Sequence, residues 1–272
     1  MNVRVLDAAG NPTVLDGNDR GLDYGDGLFE TLRVHDGKPV WWPEHFQRLQ
    51  RGASVLGIPV PDEAAIAAHS IDLIAGRPQG VLKLVLTRGV GGRGYAPPAQ
   101  PLATVLLTWH PLPEPEPDNG LNLRWCQLRL SEQPVLAGIK HLNRLENVLA
   151  RAEWTDPDIH EALLCDTQGR LVCATAGNVF LFLDGCWQTP RLDRCGVAGI
   201  AREWLLRTIP NAMEAELTPE SVQRSDALVV CNSVRGIRQA RRLQDQAWPM
   251  GSVALALRQR LASAEPAFAI LD

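Results

Sequence analysis

The sequence predicts an α+β chain (mixed α/β) in two domains, and three observations predict it. Residues 110–120, HPLPEPEPDNG, hold four prolines and end in Asn-Gly, so they continue neither a helix nor a central strand. Strand-like and helix-like stretches occur on both sides of this break. Their order is mixed, without the regular alternation of a doubly wound parallel sheet. The division is a small N-terminal α+β domain (1–110), an interdomain connection (111–120) and a larger C-terminal domain with mixed strands and helices (121–272).

In the first domain, LFETLRVHDGKPVWW (28–42) alternates around Asp36-Gly37, which predicts a hairpin. PEHFQRLQRGASVLG (43–57) reads as a helix, with Pro43 in its first turn and Phe46, Leu49, Ala53 and Leu56 at helical spacing. DEAAIAAHSIDLIAG (62–76) is a second helix. GVLKLVLTRG (80–89) and LATVLLTWH (102–110) are strands. In the second domain, LNLRWCQLRL (121–130) is a strand. HLNRLENVLARAEW (141–154) is a helix, with Leu142, Leu145, Leu149 and Ala152 on one face. Residues 161–190 form short strands joined by turns at Asp-Thr-Gln-Gly and Asp-Gly. A helix (200–209), a strand (226–233) and a last helix (253–263) complete the chain.

A net charge of −4 speaks against a general nucleic-acid binder. The N-terminal stretch MNVRVLDAAGNPTVLDG shows no apolar core of signal-peptide length, and the longest apolar runs are strand-sized, so no membrane association is expected. Six cysteines without a CxxC pair read as buried thiols in a reducing, cytoplasmic setting. The six histidines form no HxxxH or HxH pair, so no metal site is expected. No GxSxG elbow is present.

Among 27 basic Lys and Arg residues only Lys38, Lys83 and Lys140 are lysines. A lysine kept just ahead of a helix, in AGIKHLN, is either an exposed helix-start charge or an amine that needs to lose its proton, which arginine cannot do. Two Gly-rich segments, YGDGLFETLR (24–33) and TRGVGGRGYAPP (87–98), are neither Walker loops nor GxGxxG fingerprints. Arg93 in the second suits a carboxylate, which it meets as a planar fork. In GVAGIARE (196–203), Gly199 and Ile200 stand at an expected helix start, where backbone N–H groups receive anions. Asn232 and Ser233 end the strand VVCNS and add side-chain donors.

Taken in order, YGDGLFETLRV, HFQRL, RGYAPP, GIKHLNRLENVLAR, GNVFLF, TPRLDRCGVAGIAR and VVCNSVRGI resemble the fold-type IV family of pyridoxal-phosphate enzymes, the branched-chain and D-amino-acid aminotransferase group. Within it, AGIKHLNRLENVL and GGRGYAPP are most similar to the 4-amino-4-deoxychorismate lyases. The resemblance implies the family's two-domain fold and pyridoxal 5'-phosphate attached covalently to Lys140. It implies a phosphate cradle of Arg48, the Gly199 and Ile200 backbone and Ser233. It also implies Thr31 as the group assisting the leaving oxygen, and Tyr24, Arg93 and Asn143 as substrate-binding residues, with Tyr24 and Arg93 reaching the site across a homodimer interface. The implied reaction splits a small-molecule substrate, 4-amino-4-deoxychorismate, into 4-aminobenzoate and pyruvate, a step toward folate.

One position departs from the family. Cys173 stands where a glutamate usually faces the pyridine nitrogen, and no acid lies between Asp166 and Asp184. Two other readings fit the same motifs: a D- or branched-chain amino-acid aminotransferase, and a weakly active or non-catalytic relative.

Overall fold

The computed structural model describes residues 2–115 and 119–269; residues 116–118 of the expected connection and the chain ends, 1 and 270–272, lie outside the described residues. The chain forms two compact units. The first is Met1–Pro113 together with Ile139–Asn143, and the second is Glu114–Gly138 together with Arg144–Asp272. The excursion of Ile139–Asn143 into the first unit is not foreseen by a division at 111–120.

The first unit has strands β1 (Val3–Leu6), β2 (Gly27–His35), β3 (Lys38–Pro39), β4 (Gln79–Thr87) and β5 (Thr104–His110). They form one antiparallel sheet in the order β1-β5-β4-β2-β3. Asp36 and Gly37 both take positive φ, 47° and 70°, the backbone of a two-residue hairpin turn whose twist matches its strands. Alternation along β2 buries Leu28, Glu30, Leu32 and Val34 and leaves Phe29, Thr31, Arg33 and His35 half-buried. Helix α1 (Arg20–Tyr24) is a single turn capped by Asp19, α2 is Trp42–Leu56 and α3 is Glu63–Ile74. The buried face of α2 carries Phe46, Leu49 and Ala53, but also His45 and Arg48. Two polar, ionisable side chains on that face need partners of their own.

The second unit holds β6 (Leu121–Leu130), β7 (Glu161–Asp166), β8 (Leu171–Ala174), β9 (Asn178–Leu183), β10 (Cys186–Pro190), β11 (Met213–Ala215), β12 (Ala227–Asn232), β13 (Gly236–Leu243) and β14 (Gln246–Ala247). Their order is β11-β10-β9-β12-β13-β6-β7-β8, with β14 on β13. Pairs β13–β6, β6–β7 and β10–β11 are parallel and the others antiparallel. Strands β7, β8, β9 and β12 are buried almost throughout, which is why they read as continuous apolar runs. The helices are α4 (Leu145–Arg151), α5 (Ile200–Thr208), α6 (Pro219–Arg224) and α7 (Ser252–Ala264).

The helix expected over 141–154 is a correction: α4 has only seven residues, and Lys140 lies five positions before it. Its leucine face is not core, because Leu145, Val148 and Leu149 are 69, 60 and 53% exposed. Strand β13, GIRQARRL, escapes sequence reading because its charges mask a strand flanked on both sides. Among the described residues no helix is long and apolar enough to cross a membrane.

Candidate functional site

Lys140 is not a helix-start residue. It lies in an extended segment on the edge of β2. The Phe29 N–H donates to the Lys140 carbonyl at 2.9 Å, the Leu142 N–H donates to the Gly27 carbonyl at 2.9 Å, and His141 bridges to Leu28. Backbone bonds on both sides of His141, one of them at the Lys140 carbonyl, therefore fix this segment, and the helix-dipole objection to a cation there falls away. Lys140 Nζ stands 4.2 Å from the centre of the Phe29 ring, and Lys83 Nζ stands 5.5 Å from the same ring. Thr31, two residues beyond Phe29, is on the same face of β2 and opposite Lys83 on β4.

On the other face of β2, Glu30 meets α2. It is 1% exposed. Arg48 donates to it through Nε at 2.8 Å and through Nη2 as well, a bidentate fork, and His45 Nδ1 lies 2.6 Å from Oε2. Burial would raise the Glu30 carboxyl, but the charge and bonds of Arg48, with the bond from His45, bring it down to about 2. A carboxylate only accepts, so Nδ1 of His45 carries its proton toward Glu30. Burial lowers the His45 imidazole, against the pull of Glu30 and with the charges of Arg48 and Lys140. His45 Nε2 is buried and has no hydrogen-bond partner.

Tyr24 and Arg93 are linked through the Gly-rich loop. The Gly94 N–H donates to the Tyr24 hydroxyl at 3.1 Å, and the Tyr24 and Tyr95 rings meet edge-on. Arg93 itself is exposed. Buried Arg20 moors this loop, donating to the carbonyls of Gly94 and Tyr95 at 3.0 Å and, through Nε, to Asp26 at 2.9 Å. Arg88 donates to both oxygens of Asp26. Asn143 donates through Nδ2 to the Gly25 carbonyl at 3.1 Å, so its amide helps fix the turn ahead of β2.

The remaining expected site residues belong to the second unit. Gly199 is the N-cap of α5, and the Glu203 N–H is the donor to its carbonyl. The N–H groups of the first helical turn have no intrahelical acceptor, which makes this end receptive to an anion. A Cβ on Gly199 would stand 2.2 Å from Oδ1 of Asn178, whose Nδ2 donates to the Val197 carbonyl at 2.9 Å. Gly199→Ala is therefore expected to cost about 1–3 kcal/mol in chemical denaturation of the cofactor-free chain. An unchanged midpoint would mean that Asn178 swings aside freely. Ser233 lies in the turn after β12, which Asn232 Oδ1 closes by accepting from the Val234 and Arg235 N–H groups at 3.0 and 2.8 Å.

Cys173, on β8, packs with Cys126, Leu164, Val172 and Ala162, and burial pushes its thiol well above the ordinary range. It is therefore a neutral thiol. The nearby buried acid is Glu161, which accepts from the Thr175 hydroxyl and stands 3.7 Å from Arg238. Sequence reading missed Glu30, His45 and Arg20. The available signal for Glu30 was its buried parity in an alternating strand, and for His45 its place three residues before Arg48 on one helix face.

Residues 27–243 match the family model described as amino-transferase class IV. An aminodeoxychorismate lyase from Vibrio harveyi is 32% identical over 233 residues, covering 80% of this chain and 83% of that protein. The crystal structure of 4-amino-4-deoxychorismate lyase from Pseudomonas aeruginosa superposes with a TM-score of 0.89 at 40% identity, over 97% of this chain and 99% of that one. A branched-chain amino acid aminotransferase from T.th., solved in complex with N-(5'-phosphopyridoxyl)-L-glutamate, shares the fold with a TM-score of 0.82 at 20% identity, over 97% and 93% of the two chains.

Proposed function

The chain belongs to the class IV aminotransferase family, and from that premise we propose that it is a pyridoxal-phosphate-dependent lyase converting 4-amino-4-deoxychorismate to 4-aminobenzoate and pyruvate. The observation that carries this reading is Lys140, held against β2 through its carbonyl and the neighbouring Leu142 N–H, with His45 near enough to feel its charge. The lyase relatives supply the substrate.

The residues present fit the cofactor. Lys140 offers an amine for its aldehyde, Arg48 a positive charge for its phosphate, and the Gly199–Ile200 helix start backbone donors. Ser233 adds a hydroxyl. When bound, pyridoxal phosphate supplies an electron sink that acidifies the substrate carbon bearing the amine. Lys140, as the free amine, takes the proton from that carbon. The enolpyruvyl oxygen then leaves from the adjacent carbon, and the six-membered ring becomes aromatic. Thr31 shares the face of β2 that carries Phe29, under the lysine, and its hydroxyl donates to the departing oxygen. Arg93, in the moored Gly-rich loop, meets a substrate carboxylate, with Tyr24 hydrogen-bonded to that loop and Asn143 holding the turn beside them. Gly25, in that turn, takes positive φ, 64°.

Exposed Leu145, Val148 and Leu149 support a homodimer as the active form. Six free thiols support a reducing, cytoplasmic setting.

The test is product analysis without any 2-oxo-acid acceptor. The loaded protein is expected to release 4-aminobenzoate and pyruvate in equal amounts from 4-amino-4-deoxychorismate. Amino transfer from D-alanine or a branched-chain amino acid at a higher kcat/KM would replace the lyase reading with an aminotransferase. A colourless protein that borohydride leaves unmodified would mark a non-catalytic relative.

Cys173 gives a further prediction. A neutral thiol opposite the ring nitrogen stabilises a protonated pyridine less than a carboxylate does. Elimination tolerates this better than amino transfer, because aromatisation helps to drive it. Cys173→Glu is expected to keep the fold, with Arg144 as counter-charge against the nearby Glu161. It should raise turnover of either reaction roughly tenfold, the worth of about 1.4 kcal/mol. Steady-state rates and the pH dependence of the cofactor spectrum check it; if neither moves, Cys173 is not at the ring nitrogen.

A further inference from the structure

The buried cluster of Glu30, His45 and Arg48 is larger than phosphate binding alone requires. One guanidinium can hold a phosphate from the surface. Here a carboxylate that is 1% exposed is set beneath the arginine, and a histidine equally buried is set beside it. The carboxylate fixes the plane of the Arg48 fork through Nε and Nη2. It also fixes the tautomer of His45, because Nδ1 must keep its proton to donate to Oε2 at 2.6 Å.

That assignment leaves Nε2 as the group in question. In the neutral ring it is a lone pair with no donor, and in the protonated ring an N–H with no acceptor; either way it is a buried polar atom without a partner. His45 and Arg48 are three residues apart on α2 and so share one face. The charged groups acting on the ring come from every element packed on it: Glu30 from β2, Arg48 from α2 and Lys140 from the 139–143 segment. Burial keeps the imidazole neutral against the pull of Glu30, and the charges of Arg48 and Lys140 add to it. A dianion arriving beside Arg48 reverses that balance and gives Nε2–H an acceptor.

We propose that His45 takes up a proton when the cofactor's phosphate binds beside Arg48, with Glu30 as the positioning residue for both side chains; the proposal rests on the pyridoxal-phosphate reading above. The proton comes from solvent and forms one N–H bond at Nε2, which then donates to a phosphate oxygen. Nδ1 keeps its own proton and its bond to Glu30. Cofactor loading thereby becomes pH-linked through a residue that performs none of the chemistry.

The probe is pyridoxamine 5'-phosphate, which lacks the aldehyde and so forms no bond with Lys140. At pH 8 its phosphate is already a dianion, the second phosphate pKa being about 6. Cofactor-free wild type and His45→Gln are titrated calorimetrically in buffers of different ionisation enthalpy. Glutamine offers an amide N–H without taking up a proton. Wild type is expected to absorb about one proton more per site than His45→Gln, and its affinity to fall about tenfold more steeply per pH unit above pH 8. Glu30→Gln should lower the uptake and weaken binding together, because the imidazolium loses its carboxylate. The nitrogen chemical shift of His45 Nε2 in wild type, with and without the probe, reads the same proton without any substitution. Binding with equal uptake in both proteins, or an Nε2 that stays unprotonated in the complex, overturns the proposal and leaves the cofactor reading standing. No binding of the probe at all overturns both.

Discussion

Lys140→Ala is expected to lose covalently held cofactor and to lower lyase turnover at least about a thousandfold, within the range for removing a positioned proton acceptor and more if attachment itself is needed. Lys140→Arg should do no better, because a guanidinium neither attaches an aldehyde nor releases its proton. The fold should survive both changes. The segment is held by backbone bonds to Gly27 and Phe29, which neither substitution touches, and the side-chain contact with the Phe29 ring is worth about 0.5–1 kcal/mol. The measurements are mass analysis after borohydride reduction, single-turnover rates and a melting curve. An adduct found on Lys38 or Lys83 would sink the assignment. A variant that fails to fold would show that the side chain is structural.

Arg48→Ala is expected to have two effects. Cofactor affinity falls, because the positive charge beside the phosphate is gone. Independently, the cofactor-free chain loses about 3–5 kcal/mol, because Glu30 is left buried without its main counter-charge. The pH dependence separates these. In wild type, Glu30 is held near 2 against an ordinary 4.5, so its contribution is full above 4.5 and is lost as pH falls toward 2. In the variant the carboxyl is raised by burial, and a raised carboxyl favours the fold at low pH and penalises it as pH rises. The gap between the two proteins should therefore be widest near pH 8 and narrow on acidification. Urea denaturation of both cofactor-free proteins at several pH values checks it; a gap that does not change with pH would mean that Glu30 is not the group left stranded.

The sequence made some parts of this molecule legible and hid others for physical reasons. Helices α2 and α3 were visible because their starts carry Pro43 and Asp62 and their apolar residues recur at helical spacing. Strands β4, β5, β6 and β12 were visible as apolar runs of strand length. Lys140 and Gly199 stood out as a rare lysine and a glycine before a helix, and Arg48 only through the resemblance carried by HFQRL. Glu30 did not stand out, because a charged residue in an alternating strand normally faces water. Only the partners brought by α2, a separate element, show that it faces inward. The error at 141–154 has a similar origin. Leucines at helical spacing signal an apolar face whether that face meets the chain's own core or lies open, and here the first residues of the run are held extended by β2 instead.

The detour of Ile139–Asn143 into the first unit bears on how the molecule can be made and taken apart. A ribosome delivers Met1–Pro113 well before it delivers residue 139, so the N-terminal sheet emerges with the edge of β2 at Gly27–Phe29 still lacking the segment that pairs with it. That edge is completed only by chain arriving after a long stretch of the other unit has been synthesised. The Lys140 segment thus meets the edge of β2 only after the chain for the rest of that sheet has been delivered. Cleavage between Pro113 and Glu114 accordingly does not yield an N-terminal half bearing Lys140: the lysine stays covalently with the C-terminal fragment, although its backbone partners lie in the other.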